Sequence, residues 1–304
     1  MIVYRELSTL TRDLGFSART LYAVSNQIGK HYRAAEIPAR DGGVRRLSVP
    51  DPLLKGIQRA IYEKLLFHEE ISPYASAYRP GGSTRKNARP HVGAETVLKL
   101  DIRHFFDSVI YPLVKEKAFP ASRYSESNRI LLTILCTCRN ALPQGAPTSP
   151  AISNLILRDF DNTLGGWCRA RGIAYTRYCD DMTFSGRFIP EEVISHVREE
   201  LEKLGLYLNE RKTVCCGRGR RKTVTGIVVN EKLSAPRAYK RRLRSELYYC
   251  RKFGVASHLA RQGEQLTEAR YLDRLLGRVE YVLSVEPDNP EMLAYRTWLR
   301  KERG

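Results

Sequence analysis

Two adjacent aspartates, Asp180 and Asp181, lie between flanks rich in aromatic and β-branched residues, Ala174-Tyr175-Thr176-Arg177-Tyr178 and Met182-Thr183-Phe184-Ser185. Such flanks predict two short strands, so the acidic pair falls where the chain must reverse. Neighbouring carboxylates repel each other and turn a hairpin less readily than Asn-Gly or Asp-Gly. A fold that keeps them there needs something cationic to hold, and a divalent metal is the natural candidate.

By itself an Asp-Asp pair is most often a solvated turn, so the reading needs support elsewhere. Val97-Leu98-Lys99-Leu100-Asp101-Ile102 alternates, with Leu98, Leu100 and Ile102 on one strand face and Asp101 on the other, polar one. The 79 positions from Asp101 to Asp180 leave room for a helical connection that returns the chain to the same sheet. Three aspartates on neighbouring strands are hard oxygen ligands for Mg²⁺, which typically keeps water and takes substrate phosphates as its other ligands. Two such ions about 4 Å apart activate an attacking hydroxyl and stabilise a leaving pyrophosphate. The chemistry expected of the constellation is nucleotide polymerisation.

Patterning elsewhere is consistent with an α+β sheet backed by helices. Residues 1–38 read as helical, with Leu7, Leu10 and Leu14 on one stripe and Ser17 capping a second helix that carries Leu21, Val24 and Ile28. Arg45 to Pro50 reads as a short strand. Asp51 then caps a helix with Pro52 at its first position and Leu54, Ile57, Ile61 and Leu65 on one face. A helix opening at Ser149-Pro150 has the stripe Ile152, Leu155, Ile156, Phe160, Leu164 and Trp167, and another spans Pro190 to Leu204 and is closed by Gly205. Tyr207 to Asn209 and Val224 to Val229 read as strands, and residues 236–304 repeat apolar positions at helical spacing. No internal repeat or low-complexity linker marks an independent second domain.

Charge narrows the partner. The 304-residue, 34.8 kDa chain is long enough to bury a core, and its 51 basic against 33 acidic residues give a net +18 and a pI near 9.7. That excess predicts an extended polyanion rather than a small acidic substrate. It gathers in dense groups: Arg40, Arg45 and Arg46; Arg79, Arg85, Lys86 and Arg89; Arg211 to Lys222; and Arg237 to Arg251. Binding is expected to fall with salt at a slope of roughly −0.9 per neutralised phosphate on duplex, or −0.7 on single strands. The seven cysteines are odd in number and lack Cys-x-x-Cys spacing, so neither a disulfide scaffold nor a zinc site is indicated. No signal-peptide core follows Met1, and no apolar run approaches the roughly 18 residues of a membrane span. A cytoplasmic protein without a membrane partner is expected.

With these residues in view, the chain resembles a known family. Asp101 to Asp107, Leu142 to Leu155 and Tyr178 to Asp181 look like the A, B and C motifs of reverse transcriptases, in the right order. Asn87-Ala88-Arg89-Pro90-His91 is similar to the Asn-Ala-x-x-His element, and Val224-Thr225-Gly226 to the Val-Thr-Gly element, of bacterial retron reverse transcriptases. The resemblance covers roughly residues 40–245 and is far more specific than any single motif. It implies a right-hand polymerase with an N-terminal helical segment (1–38), fingers (39–96), a palm with fingers-like insertions (97–230) and a helical, RNA-binding thumb (231–304). Cys179 departs from the more usual Ala, which implies altered packing near the primer end with activity retained.

Roles then follow by resemblance. Asp101, Asp180 and Asp181 hold two Mg²⁺ ions. Phe106 excludes the ribose 2′-hydroxyl and so selects deoxynucleotides; core packing is the competing reading for Phe105-Phe106, and alternation makes Phe105 the buried partner. Gln144 and Gly145 lie near the template base and incoming nucleotide, the bland alternative being a plain loop-to-helix connection. Arg79 pairs with the triphosphate through its guanidinium, assisted by Arg45 or Arg46. Lys212 matches a lysine that protonates or neutralises the leaving pyrophosphate, while by residue type it is equally a solvated surface lysine.

Asn87 and His91 are expected at an RNA or RNA-linked DNA contact, and Arg220, Arg221, Val224, Thr225 and Gly226 in an RNA-facing loop, the bland alternatives being a satisfied histidine and an ordinary sheet. Lys240, Arg241 and Arg244 track a nucleic-acid backbone while Tyr239, Tyr248 or Tyr249 stack or pack. A basic amphipathic helix of this kind also suits a membrane surface or a protein. The resemblance implies an RNA-directed DNA polymerase that copies its own structured non-coding RNA, primed from a guanosine 2′-hydroxyl, into RNA-linked single-stranded DNA from deoxynucleoside triphosphates. It further implies a place in anti-phage defence beside an effector or toxin protein. The alternatives are another bacterial reverse transcriptase, of group II intron, diversity-generating or phage-defence type, or an RNA-binding scaffold that restrains an effector.

Overall fold

The alternating segments around the three aspartates pair into one sheet. The computed structural model describes residues 3–38, 42–263 and 265–303; Arg40 of the first basic group lies outside the described residues. Strands β1 (Tyr32–Pro38) and β2 (Val44–Pro50) form an antiparallel hairpin with Tyr32 opposite Pro50. Strands β3 (Thr96–Asp101), β4 (Ala174–Tyr178), β5 (Asp181–Gly186) and β6 (Val214–Cys216) form a sheet in the order β4-β5-β3-β6, with β4 and β5 antiparallel. A two-stranded ribbon joins β7 (Thr223–Val224) to β8 (Ile227–Val228). The chain divides into two compact units, Met1–Gly82 with Leu98–Cys215, and Ser83–Val97 with Cys216–Gly304.

In the first unit the helix ends follow the expected chemistry. Ser17 Oγ accepts from Thr20 N at 3.1 Å, and Asp51 Oδ1 accepts from Leu54 N at 2.8 Å ahead of the helix Pro52–Ile61. That helix buries Leu54, Ile57 and Ile61 completely. Each such aliphatic side chain contributes about 2 kcal/mol on transfer from water. The stripe from Ile152 to Trp167 is carried by two helices, Ser149–Ile156 and Arg158–Ala170, because the backbone opens at Leu157. Helix Arg158–Ala170 packs on β4 and sets Phe160 and Leu164 into the core beneath the sheet.

Three sequence expectations change here. Residues 32–38 form β1 rather than continuing the N-terminal helices, because they pair with β2 residue for residue. Tyr207 to Asn209 is not a strand; only Leu208 makes an isolated antiparallel bridge, to Ile102, and β6 takes the edge position. Val224 to Val229 is a hairpin instead of one strand, since Thr225 (φ 46°) and Gly226 (φ 82°) both adopt the positive φ of a two-residue turn between β7 and β8.

The second unit is mainly helical. Helices Arg237–Phe253, Val255–Gln262, Glu268–Val285 and Pro290–Glu302 enclose a core that includes Leu243, Leu247, Leu275, Val279, Val282 and Met292. A smaller cluster of Ala88, Val97, Val224, Ile227, Val229 and Val285 joins the helix Thr84–Ala88 to the β7–β8 ribbon. Among the described residues no helix is long and apolar enough to cross a membrane.

Candidate active site

Sheet order explains how distant aspartates meet. Because β5 lies between β4 and β3, the β4–β5 turn comes next to the end of β3, where Asp101 stands. Tyr178 pairs with Asp181, leaving Cys179 and Asp180 as the two turn residues. Cys179 takes a left-handed φ of 60°, uncommon for a residue with a side chain. Ile102 N donates to the Asp180 carbonyl at 3.2 Å and ties the turn to β3. As a result one carboxylate oxygen from each of Asp101, Asp180 and Asp181 lies within 4.8 Å of the others.

Electrostatics show what this convergence costs. Asp101 is buried, Asp180 half-buried, and Asp181 keeps an exposed face. Burial and then the Asp101 charge raise the Asp180 carboxyl above its usual range, while Lys212 and Arg45 partly offset this. Burial, then the charges of Asp180 and Asp101, push Asp181 up to about 6, even though solvent still reaches part of its side chain. Three carboxylates that repel at this range form a donor set suited to a hard divalent cation, which would relieve the repulsion.

Two more side chains complete the cluster. Lys212 Nζ lies 3.1 Å from Asp101 Oδ2, and Asn209 Nδ2 donates to Asp101 Oδ1 at 3.2 Å. Against a desolvation that would lower it, the hydrogen bond to Asp101 and the three acidic charges raise the Lys212 pKa, so its ammonium stays protonated. The structure places the Lys212 ammonium beside Asp101, while much of the side chain still meets solvent. Asn209 was not singled out by sequence, since an asparagine in a presumed strand carries no signal of its own.

A cavity of about 930 Å³ opens beside Asp101 and Asp180, which line it. Its walls include Arg45, Arg46, Tyr78, Phe106 and Gln144. Phe105 is buried and Phe106 half-buried, their rings 5.4 Å apart, as expected; both belong to a short helix, Phe105–Ser108, entered through His104 at φ 45°, so strand alternation is not what separates them. The Gln144 carbonyl accepts from Ser48 N at 2.9 Å. Gly145 (φ 119°) runs so near β2 that a Cβ would sit 3.2 Å from the Ser48 carbonyl oxygen, which accounts for the glycine. Arg79 is not brought to the cavity wall among the described residues. Its Nη1 instead donates to the carbonyls of Ser72 (2.9 Å) and Ala75 (3.2 Å), while Arg45 and Arg46 line the cleft.

Beneath the turn lies a polar network that sequence reading missed. Arg177 and Asp161 are both fully buried. Arg177 Nε donates to Asp161 Oδ1 at 2.9 Å and Nη2 to Asp161 Oδ2 at 2.6 Å, while Nη1 reaches the Cys179 carbonyl at 2.8 Å. Tyr175 Oη donates to Asp161 Oδ1 at 2.7 Å, and Asn154 Oδ1 accepts from Arg177 Nη2 at 3.2 Å. The only available signal was a charged pair on segments that otherwise read as apolar.

In the second unit, Asn87 and His91, expected at an RNA contact, are wholly buried. Burial pushes the His91 imidazole down to about 4. Val224 is likewise buried, and Thr225 Oγ1 donates to the Thr84 carbonyl at 3.2 Å. Ala88 and Val224 of the two signature elements thus share one buried cluster, while Arg89, Pro90 and Gly226 stay exposed. Arg220 and Arg221 are exposed. A groove of about 630 Å³ is lined by Arg221, Arg237, Ala238, Lys240, Arg241 and Arg244. Within it Lys240 Nζ is committed to Glu286 Oε1 (2.7 Å) and Ser234 Oγ (3.0 Å), and Arg244 Nε pairs with Glu291 Oε2 at 2.5 Å. Arg221, Arg237 and Arg241 remain exposed on its walls.

Comparison with known proteins accords with this geometry. Residues 37–229 match the family described as Reverse transcriptase (RNA-dependent DNA polymerase). The chain is 36% identical over 90% of its length to the Retron Mx65 reverse transcriptase of Myxococcus xanthus, of which it covers 65%. It is 30% identical over 91% of its length to the Retron Mx162 reverse transcriptase of the same organism, covering 63% of that protein. With the Retron Ec83 reverse transcriptase of Escherichia coli it shares 30% identity over 84% of each chain. An antiparallel sheet that presents three convergent aspartates, together with these matches, defines the class: the chain belongs to the reverse transcriptases, and among them to the retron reverse transcriptases. It spans just under two thirds of the length of the two Myxococcus relatives.

Proposed function

We infer that this chain is an RNA-directed DNA polymerase that copies a structured non-coding RNA of its own retron into RNA-linked single-stranded DNA. The observation that carries the reading is the convergence of Asp101, Asp180 and Asp181 within 4.8 Å, with Asp101 and Asp180 lining a cleft that has a basic wall. Asp101, Asp180 and Asp181 would hold Mg²⁺, as a pair of ions. When bound, these supply charge neutralisation at the reacting phosphates and activate the attacking hydroxyl.

The remaining work falls to the chain's own residues. The reaction joins a hydroxyl oxygen, first the 2′-hydroxyl of a guanosine and then each new 3′-hydroxyl, to the α-phosphorus of a deoxynucleoside triphosphate. The bond from that phosphorus to pyrophosphate breaks as the new one forms. Lys212, protonated beside Asp101, is set to neutralise or protonate the leaving pyrophosphate. Phe106, half-buried on the cleft wall, excludes a 2′-hydroxyl by shape. Arg45 and Arg46 attract the triphosphate, a role expected mainly of Arg79. Gln144 on the same wall faces the nascent pair, with Gly145 serving the backbone approach.

The unit holding the sheet acts as palm and fingers, and the helices from Arg237 to Glu302 act as thumb. Arg220, Arg221, Arg241 and Arg244 offer cations to the RNA backbone, with Lys240 held by Glu286. Support for the retron assignment comes from the shared burial of Ala88 and Val224, one from each signature element, and from relatives that are named as retron enzymes. Anti-phage defence with an effector protein follows from the same resemblance.

Expression of the chain with its flanking non-coding DNA tests the reading. A discrete short DNA that stays joined to RNA until a debranching enzyme is added, and that vanishes in Asp180→Asn/Asp181→Asn, is the expected outcome. Primer extension on RNA without such a product would overturn the retron activity and leave a general polymerase. Absence of both the RNA-linked DNA and primer extension in wild type, with biological output retained in the mutant, would favour a scaffold.

A further inference from the structure

We propose that the buried Arg177–Asp161 pair is a positioning device for the metal-binding turn, holding the Cys179 carbonyl so that the Asp180 and Asp181 carboxylates converge on Asp101. The proposal rests on the reading of the aspartate triad as a divalent-metal site.

The geometry assigns the guanidinium two separate tasks. Nε and Nη2 clamp Asp161, and Nη1 leaves that clamp to bond the Cys179 carbonyl at 2.8 Å. The next carbonyl, that of Asp180, is held from the opposite side by Ile102 N at 3.2 Å. Consecutive turn carbonyls are thus pinned to two different parts of the unit, one beneath the hairpin and one on the strand that bears Asp101. The clamp is itself anchored. Asp161 stands on the helix Arg158–Ala170 and accepts from Tyr175 Oη at 2.7 Å, while Asn154, which accepts from Arg177, donates through Nδ2 to the Ala77 carbonyl at 2.9 Å.

Stability is a poor reason for such a pair. Two fully buried charges lose their hydration, and replacing both with apolar residues of similar volume is commonly neutral or stabilising. The turn, by contrast, needs external support. Cys179 at φ 60° is in a conformation that non-glycine residues adopt only when their surroundings over-determine it. The two acidic residues that follow repel each other and Asp101. A turn left to itself would relax both the backbone and the repulsion by separating the carboxylates.

The test compares metal binding with folding on the full chain. Mn²⁺ serves as the probe, followed by electron paramagnetic resonance or calorimetry without nucleic acid, beside thermal unfolding of the same samples. Asp180→Asn controls for the triad. Arg177→Met alone strands the Asp161 carboxylate in the interior, so its melting temperature falls sharply. In Arg177→Met/Asp161→Leu both charges are gone, and the melting temperature returns towards wild type. Mn²⁺ affinity in this double variant is expected to remain about 10- to 100-fold weaker, the range for loss of residues that orient metal ligands. Arg177→Lys keeps one charge but cannot span both partners, so metal affinity falls more than stability does.

Wild-type Mn²⁺ affinity in the refolded double variant would overturn the positioning role while leaving the triad intact. Wild-type protein that binds no Mn²⁺ at the triad, judged by an Asp180→Asn variant that titrates identically, would overturn the metal reading and the proposal together. Arg177→Lys, which keeps the buried charge but loses the fork that reaches both Asp161 and the Cys179 carbonyl, gives the same comparison if the double variant fails to fold: weaker Mn²⁺ binding in a folded protein supports the proposal, and unchanged binding overturns it.

Discussion

Acidification is expected to destabilise the second unit through His91. The residue is fully buried in the turn Arg89–His91, which packs on the helix Thr84–Ala88, and that helix packs on the β7–β8 ribbon. Burial lowers its pKa from an ordinary 6.5 to about 4. Above pH 6.5 both folded and unfolded states leave the ring neutral, and it contributes no pH dependence. Between the two pKa values only the unfolded state takes up the proton, so stability falls as pH falls. One proton gives a slope approaching 1.36 kcal/mol per pH unit, which accumulates to about 3 kcal/mol at pH 4.

Urea unfolding can report this if Trp167 in the first unit is replaced by Phe, leaving Trp298, packed on the helical core of the second, as the single tryptophan, excited selectively over tyrosine. Wild type and His91→Gln, both in that background, are compared from about pH 7 to 4.5. Other titrating groups cancel in the difference, so the wild type should lose about 2 to 3 kcal/mol more than the variant. Parallel pH profiles would refute the argument, because a buried neutral histidine cannot be removed without removing its share of the slope.

Other consequences concern the cleft and the groove. Phe106→Ala should lower discrimination against ribonucleoside triphosphates by on the order of tenfold or more, read as the ratio of kcat/KM values for deoxy- and ribonucleotide on one RNA template. Unchanged discrimination would remove Phe106 from the gate. Lys212→Gln, which deprives Asp101 of its cation, should slow single-turnover nucleotide addition by about 10²-fold with little change in RNA affinity. Arg221→Ala and Arg241→Ala should each reduce the slope of log affinity against log salt by roughly 0.7 to 0.9 if each neutralises one phosphate. Lys240→Ala, already paired with Glu286, should change that slope less and thermal stability more.

What could be read from sequence follows the range of the forces involved. The cap at Asp51, the hairpin bearing Asp180 and Asp181 and the alternation around Asp101 are set by neighbours a few positions away, so residue order displays them. The strand at Tyr32–Pro38 was missed because mostly exposed residues carry little alternation, and only β2 reveals it. Tyr207 to Asn209 misled for the opposite reason, since a bulky apolar run near the sheet makes one bridge while β6 occupies the edge. Arg79 has the right residue type for a phosphate but its guanidinium is tied to two local carbonyls.

Residue order by itself determined the chemistry: three aspartates in strand and turn contexts, an aromatic after the first, and a basic excess suited to nucleic acid. Tertiary structure alone decided which groups meet. It brought Lys212 and Asn209 onto Asp101, set Arg177 on Asp161 under the Cys179 carbonyl, and buried Asn87 and His91. The physical reason is that hydrogen bonds and ion pairs act over about 3 Å, a separation fixed by sheet order and helix packing between segments far apart in the chain.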